Sequence, residues 1–128
     1  MTLILDSGGI SALAGQRARL AELRRRGLWP PQIPAIVLTE ALTGDHRRDF
    51  HENQLVRMCQ VRDVTEHLAR AAAVLRTRSG GATTISATDA VVAALAVGCA
   101  DPIVLTSDPD DLNALVAEHT ATVIVARV

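Results

Sequence analysis

IVLTSDPDDL, residues 103 to 112, sets an apolar, β-branched run against three aspartates and a proline. The run predicts a buried strand, and the polar residues after it predict a turn into a helix. Asp108 suits the N-cap, Pro109 suits the first helical position, and Asp111 stands where a capping box places an acid. These aspartates therefore either only cap the helix or cap it and also take part in binding or catalysis.

The same strand-to-helix pattern recurs along the chain. Strands are predicted at TLIL (2–5), VRDV (61–64), PIVLT (102–106) and TVIVARV (122–128), with a few extended residues after Pro31. Apolar spacing and Gly or Pro breaks predict helices after residue 6 and at 16–27, 37–42, 47–59, 65–78, 86–98 and 108–118. This alternation favours βαβ crossovers and a parallel sheet, whose sites form where strands end. Asp6 and Asp108 lie at such ends.

Length and composition limit the possible classes of protein. At 128 residues, 48% hydrophobic and 21% charged, residues 1–128 are expected to form a single folded domain. The longest apolar run, 90–100, is too short to cross a bilayer, and the N-terminus lacks a basic leader. We expect a cytoplasmic protein without a membrane segment, in which Cys59 and Cys99 are reduced and mostly buried.

Charge and aromatic content further limit the possible modes of binding and catalysis. The net charge is -1, so any binding of nucleic acid needs a local basic patch. All thirteen basic residues are arginine, which excludes Schiff-base lysines and the P-loop lysine. The only aromatic residues are Trp29 and Phe50, too few to predict a stacking platform for single strands.

Four acidic residues stand out by position. Asp6 and Asp108 end strands, while Glu40 and Asp89 lie in otherwise apolar helical stretches, where an unpaired charge is costly. Each has a structural alternative: an N-cap for the first two, a wet helix edge for Glu40, and a capping box with Ser86 for Asp89. If the sheet gathers them, they raise one another's pKa or bind Mg²⁺ or Mn²⁺. Such a cluster suits metal-assisted phosphoester hydrolysis.

Four blocks of the sequence, in this order and spanning the chain, resemble a PIN domain of the VapC type, the toxin of a toxin–antitoxin pair. They are LILDSGGISAL, IPAIVLTEALTG, TTISATDAVVAALA and IVLTSDPDDLNAL. The resemblance implies a three-layer α/β/α fold around a mostly parallel sheet, and one Mg²⁺ or Mn²⁺ site that cleaves single-stranded RNA with water as the nucleophile. Asp6 and Asp108 would be the principal metal ligands, with Glu40 and Asp89 holding metal or ordering the water.

The resemblance also implies supporting residues and partners. Thr106 and Ser7 would hydrogen-bond around the site, and either Asp110 or Asp111 would supply a further acid. Members of this family act with a cognate antitoxin and form homodimers, so both are expected here.

Two arginine clusters are candidates for RNA contact. Arg17 and Arg24 belong to the basic helix at 16–27, and Arg76 and Arg78 precede Ser79. Each cluster either meets RNA phosphates or is a solvated helix face.

Other functions remain open from the sequence. They are a catalytically inactive PIN-like domain that binds a partner and a Mg²⁺-dependent phosphatase of the haloacid-dehalogenase type. The phosphatase, like a signalling receiver domain, requires a lysine that this chain lacks, and the phosphatase also requires an aspartate where Gly8 stands.

Overall fold

The computed structural model describes residues 1–81, 83–120 and 122–128. Within these ranges a five-stranded sheet has the order β3-β2-β1-β4-β5, and every pairing is parallel. The strands are β1 Thr2–Leu5, β2 Gln32–Pro34, β3 Gln60–Arg62, β4 Pro102–Thr106 and β5 Ile124–Arg127. The chain begins at the centre, builds outward through β2 and β3, and then returns to the other side of β1. Strand order therefore reverses between β1 and β4.

Helices connect the strands. They are α1 Ser7–Leu13, α2 Arg17–Arg25, α3 Leu38–Ala41, α4 Phe50–Arg57, α5 Glu66–Arg78, α6 Ala87–Val97 and α7 Pro109–Leu115. Short 3₁₀ turns occur at Ala35–Val37 and Ala117–His119. No helix in the described part of the chain is both long and apolar enough to cross a membrane.

The centre of the sheet is buried on both faces. Leu3, Ile4 and Leu5 are consecutive and at most 2% exposed. Since successive side chains of a strand point to opposite faces, helices must cover both sides of β1. On α6, every residue from Ala90 to Ala96 is buried, because this helix packs between α5 and the sheet. The three-layer α/β/α architecture predicted from the sequence is confirmed.

Several predicted boundaries were wrong. The strand expected at 61–64 lies at Gln60–Arg62. It is an exposed edge strand, so its sequence lacks the apolar pattern that marks a buried strand. The last strand starts at Ile124 because the backbone N–H groups of Thr122 and Val123 donate to the carbonyl of His119.

The remaining differences concern helix ends and the cysteines. The helix expected at 37–42 begins as a 3₁₀ turn, and the one expected at 108–118 divides into α7 and a 3₁₀ turn. Cys59 and Cys99 are half-buried rather than mostly buried. Burial raises the pKa of the Cys59 thiol to about 12, which keeps it protonated and unreactive at neutral pH.

Gly9 brings α1 close to β4. A Cβ added at Gly9 would overlap the carbonyl oxygen of Leu105 and lie 3.3 Å from its carbonyl carbon. Both obstacles are backbone atoms of a central strand, which cannot rotate away. The absence of a side chain at Gly9 is therefore what lets α1 start directly above the end of the sheet.

We expect the Gly9→Ala variant to be less stable by about 1–3 kcal/mol, because the new methyl must push α1 from β4. A loss of stability would be informative, because replacing glycine by alanine within a helix ordinarily stabilises a protein by up to about 1 kcal/mol. Urea denaturation measures the effect. Ser11→Ala on the exposed face of α1 is the control and should change stability by less than about 0.5 kcal/mol. Equal stability of the two variants would contradict the close approach.

Candidate active site

The reversal of strand order places two predicted acids at one edge of the sheet. Leu5 pairs with Leu105 at the carboxyl ends of β1 and β4. Asp6 directly follows β1, and Asp108 lies two residues after Thr106, the last residue of β4. In parallel sheets a crevice opens at such a reversal, because the two chains leave toward opposite faces.

Asp6 is fixed at the bottom of this crevice. It is only 7% exposed, and its Oδ1 accepts the Gly9 N–H at 2.7 Å, so it is the N-cap of α1. The hydrogen bond holds the carboxyl group in one orientation. Ser7, the first residue of α1, is half-buried beside it. Asp6 thus carries the predicted cap and also faces the other acids of the crevice.

The pKa of Asp89 is the clearest sign that several acids influence one another at this edge of the sheet. Burial is the main cause that raises the pKa of Asp89, and the hydrogen bond with Ser86 opposes it only in part. The negative charges of Asp6, Asp111 and Glu40 raise the pKa of Asp89 further. Ser86 Oγ also accepts the Asp89 N–H at 3.1 Å, so Ser86 is the N-cap of α6 and forms one half of the predicted capping box. We define these four acids, Asp6, Glu40, Asp89 and Asp111, as the acidic cluster.

The two candidates for the further acid differ in exposure. Asp111 is half-buried, and its charge acts on Asp89, whereas Asp110 is exposed. The capping box expected at Asp111 does not form, because Asp108 Oδ1 accepts the Asp110 N–H at 3.4 Å and the Asp108 N–H donates to Thr106 Oγ1. The exposure of these two acids depends on how α7 sits on the sheet, which a single sequence does not show.

Asp108 occupies the rim of the crevice. It is exposed and is the N-cap of α7, and its charge is not among those that shift Asp89. Its backbone N–H donates to Thr106 Oγ1 at 3.1 Å, and Thr106 is 1% exposed. The buried hydroxyl of Thr106 therefore holds the backbone of Asp108, as the sequence suggested for a supporting residue.

The segments that directly follow β1 and β4 contact each other next to Glu40. An open pocket of about 460 Å³ is lined by Ser7, Gly8, Ser11, Ala12, Glu40 and Ser107. Gly8 has no room for a side chain, because a Cβ there would meet Ser107 Oγ and lie 2.9 Å from the backbone nitrogen of Ser107. Glu40 is exposed on α3, which packs against α1. The residues that line this pocket form one wall of the crevice.

Arg127 is a residue of this edge that the sequence did not single out. It ends β5, is exposed, and its Nη1 donates to the carbonyl oxygen of Ser107 at 3.1 Å. The guanidinium thus braces the loop that carries Asp108. The available signal was an arginine at the end of the last predicted strand, where the carboxyl edge of a parallel sheet must lie.

The predicted RNA-binding arginines fall in different surroundings. Arg76 is half-buried and its Nε donates to the carbonyl of Ile85 at 2.7 Å, which fastens the segment before α6. Arg78 lies 3.8 Å from Glu118 in an exposed ion pair. Arg17 and Arg24 line a groove between α2 and α4.

The other buried acid, Asp49, is structural. Burial acts to raise the pKa of Asp49, but hydrogen bonds from Thr43 and Gly44 and the charge of Arg48 outweigh it, so the pKa is lowered overall. Its oxygens accept from the Thr43 N–H, the Thr43 hydroxyl and the Gly44 N–H at 2.8 to 3.0 Å. Asp49 has several fixed donors for its charge, whereas Asp89 is affected by the charges of three further carboxylates.

The acidic cluster fits a hard divalent cation by the chemistry of its donors. All four side chains supply carboxylate oxygens, which Mg²⁺ and Mn²⁺ prefer, and a cation would relieve the repulsion at Asp89. Across the described ranges, however, no three His, Cys, Asp or Glu side chains stand in a metal-binding arrangement. The donor set is therefore suitable, but the side chains are not closed around an ion position.

We expect Asp89→Asn to raise the melting temperature at pH 7 in the presence of a chelator. The pKa of Asp89 is raised in the folded state, so its contribution to stability is full below the unfolded pKa of 3.8 and is lost as pH rises through the folded pKa. The gain should therefore vanish in acid. Conversely, saturating Mn²⁺ should stabilise wild type by mass action and stabilise Asp89→Asn less.

Differential scanning fluorimetry at several pH values measures both effects. Asp63→Asn, at an exposed position after β3, is the matched control and should follow wild type in each condition. A melting temperature of Asp89→Asn below that of wild type at pH 7 in chelator would contradict the repulsion inferred at this site.

Comparison with solved structures identifies the fold. The DNA-bound VapBC from Salmonella typhimurium matches with a TM-score of 0.70 and 14% identity, over 99% of this chain and 98% of that chain. VapBC2 from Rickettsia felis, bound to a DNA fragment from their promoter, matches with a TM-score of 0.69 and 15% identity, over 100% and 99% of the two chains. No protein-family model and no curated protein sequence matches. At this identity the likeness shows a shared fold, and it confirms the PIN-like architecture that the sequence predicts.

Proposed function

We propose that this protein is a Mg²⁺- or Mn²⁺-dependent endoribonuclease that cleaves single-stranded RNA and acts as the toxin of a toxin–antitoxin pair. The observation that carries the proposal is the parallel pairing of β1 with β4, which brings the segments holding Asp6 and Asp108 to one edge of the sheet. Burial and the charges of Asp6, Asp111 and Glu40 raise the pKa of Asp89, which supports a gathering of acids at this edge. Carboxylates gathered in this way suit a hard cation and phosphate chemistry.

The roles of the residues follow from how each is held. A bound Mg²⁺ or Mn²⁺ supplies charge neutralisation at the phosphate and lowers the pKa of the attacking water. Asp6, fixed by the Gly9 N–H, is the rigid ligand. Asp89 and Glu40, whose charges act on each other, would hold the metal or order the attacking water. Asp111 completes the acidic cluster, and Asp108 extends it at the rim on a backbone held by Thr106.

The partners are proposed from two sources. The sequence resembles VapC-type toxins, and the structures that share its fold are VapBC assemblies bound to DNA. We propose that a cognate antitoxin binds this chain and that the chain forms a homodimer. With a net charge of -1, the chain has no bulk attraction for DNA, so contact with DNA in such an assembly would come from the antitoxin.

A second reading is a PIN-like domain that binds a partner without cleaving RNA. It is favoured by one observation, the lack of a closed metal-binding arrangement in the described ranges. Cleavage assays separate the two readings.

We expect purified protein to cleave end-labelled single-stranded RNA in Mn²⁺ or Mg²⁺ and to lose the activity in chelator. Asp6→Asn should reduce the rate by at least about 100-fold, because it removes one negative charge from the site. Asparagine is also a good N-cap, so the Gly9 N–H keeps its acceptor and the variant should fold. Denaturing gels follow cleavage, and circular dichroism follows folding.

Asp63→Asn is the matched control and should cleave at the wild-type rate, since its side chain is exposed after β3. Cleavage of equal rate by wild type and Asp6→Asn would reveal a contaminating nuclease. Absence of cleavage by folded, metal-loaded wild type would favour the partner-binding reading. Growth arrest on induction of wild type, but not of Asp6→Asn, tests the assignment as a toxin.

A further inference from the structure

A second concave surface lies just past the end of α1. It is a groove of about 760 Å³ between α2 and α4. Leu20 and Leu55 are buried in its floor, and Arg17, Arg24 and Arg57 stand around it. We call this surface the basic groove.

The charge of the basic groove is strongly one-sided. It is lined by three arginines and by no aspartate or glutamate. Among the described residues the ion pairs formed by arginines involve Arg25, Arg26, Arg70 and Arg78, none of which lines the groove. Arg24 packs on the ring of Trp29 at 4.5 Å and has a structural use. Arg17 and Arg57 have no carboxylate partner in these ranges, so their charge is available to an anionic ligand.

The groove also presents an aromatic ring to solvent. Phe50 is 54% exposed, and the ring of His51 lies edge-on to it with centroids 5.3 Å apart. His51 packs in turn on Gly15, where an added Cβ would lie 3.4 Å from the imidazole. One exposed ring flanked by guanidinium groups is suited to stack a nucleobase while the cations meet phosphates.

The basic groove is close to the acidic crevice along the chain and in space. Ser11 and Ala12 of α1 line the pocket beside Glu40, and Gly15 lines the groove. Gly15 lies three residues after Ala12, just past the end of α1, so the chain separates the two positions by at most about 11 Å. The helix α4, which carries Phe50 and Arg57, packs against α1. A ligand several nucleotides long could therefore touch both surfaces.

We propose that the basic groove binds the part of a single-stranded RNA that extends from the acidic crevice, with Phe50 stacking a base and Arg17 and Arg57 contacting phosphates. The inference rests on the proposed ribonuclease function. It answers a problem that the crevice creates, since a cluster of carboxylates repels a polyanion except where a cation is bound. An acidic peptide also matches the charge, but the exposed ring beside two unpaired guanidinium groups favours a nucleic acid.

The test is fluorescence anisotropy with a labelled 12-nucleotide single-stranded RNA of mixed sequence, in chelator so that the RNA remains intact. We expect Phe50→Leu to weaken binding at least about fivefold through loss of stacking. The double variant R17Q/R57Q should weaken binding and reduce the slope of log affinity against log salt by about 1.4, or about 0.7 for each lost phosphate contact. Arg70→Gln, an exposed arginine on α5, is the control and should bind like wild type.

The outcomes separate this inference from the proposed function. Wild type that binds RNA through the groove but does not cleave it in Mn²⁺ contradicts the ribonuclease and supports the groove. Wild type that cleaves RNA, with groove variants that bind and cleave equally well, overturns the groove. A glutamate-rich 12-residue peptide that binds wild type when the RNA does not would make the groove a protein-docking surface and also overturn it. Circular dichroism confirms that each variant is folded.

Discussion

The pairing of β1 with β4 is the interaction on which the site depends. Leu5 and Leu105 are far apart in sequence, yet they end neighbouring strands at the centre of a sheet that is buried on both faces. Only this pairing brings the chain after Asp6 against the chain after Thr106, and it does so tightly enough that Gly8 and Gly9 have no space for side chains. The same register sets Gly8 against Ser107 and Gly9 against Leu105, so the contacts that require glycine also fix the positions of the acids.

The acidic cluster lowers the stability of the protein that contains it. Asp49 shows how a buried carboxylate is stabilised in this fold: hydrogen bonds from Thr43 and Gly44 surround it and keep it ionised. Asp89 is instead half-buried among three further acids and has a raised pKa. Selection for stability alone would replace such residues with neutral ones, since buried like charges destabilise. Local features that conflict with stability occur most often at functional sites, which is the physical reason to assign chemistry to Asp89 and not to Asp49.

The sequence predicted those parts of the structure that local physics controls. Strand β1 and helix α6 are apolar nearly throughout because they are buried on all sides, and Asp6 and Ser86 were readable as caps because capping requires particular side chains at particular positions. The edge strand β3 was misplaced because exposure removes its pattern. Asp110 could not be separated from Asp111, since that choice depends on how α7 packs. Arg127 was missed because its contact with Ser107 depends on the pairing of β5 with β4. The sequence named Arg17 and Arg24 as candidates for RNA contact but not the basic groove, because α2 and α4 come together only in the fold.

A net charge of -1 conceals two surfaces of opposite charge. The acidic cluster lies near the ends of β1 and β4, whereas Arg17 on α2 and Arg57 on α4, which have no carboxylate partner among the described residues, line the basic groove. Had the two sets been mixed, they would have formed surface ion pairs, which contribute little to stability and would neutralise both surfaces. For the proposed reaction the separation has a purpose: a cation in the acidic crevice would act on the phosphate to be cleaved, while the arginines would hold phosphates that remain intact. The two interactions act on different nucleotides, so strengthening one cannot replace the other.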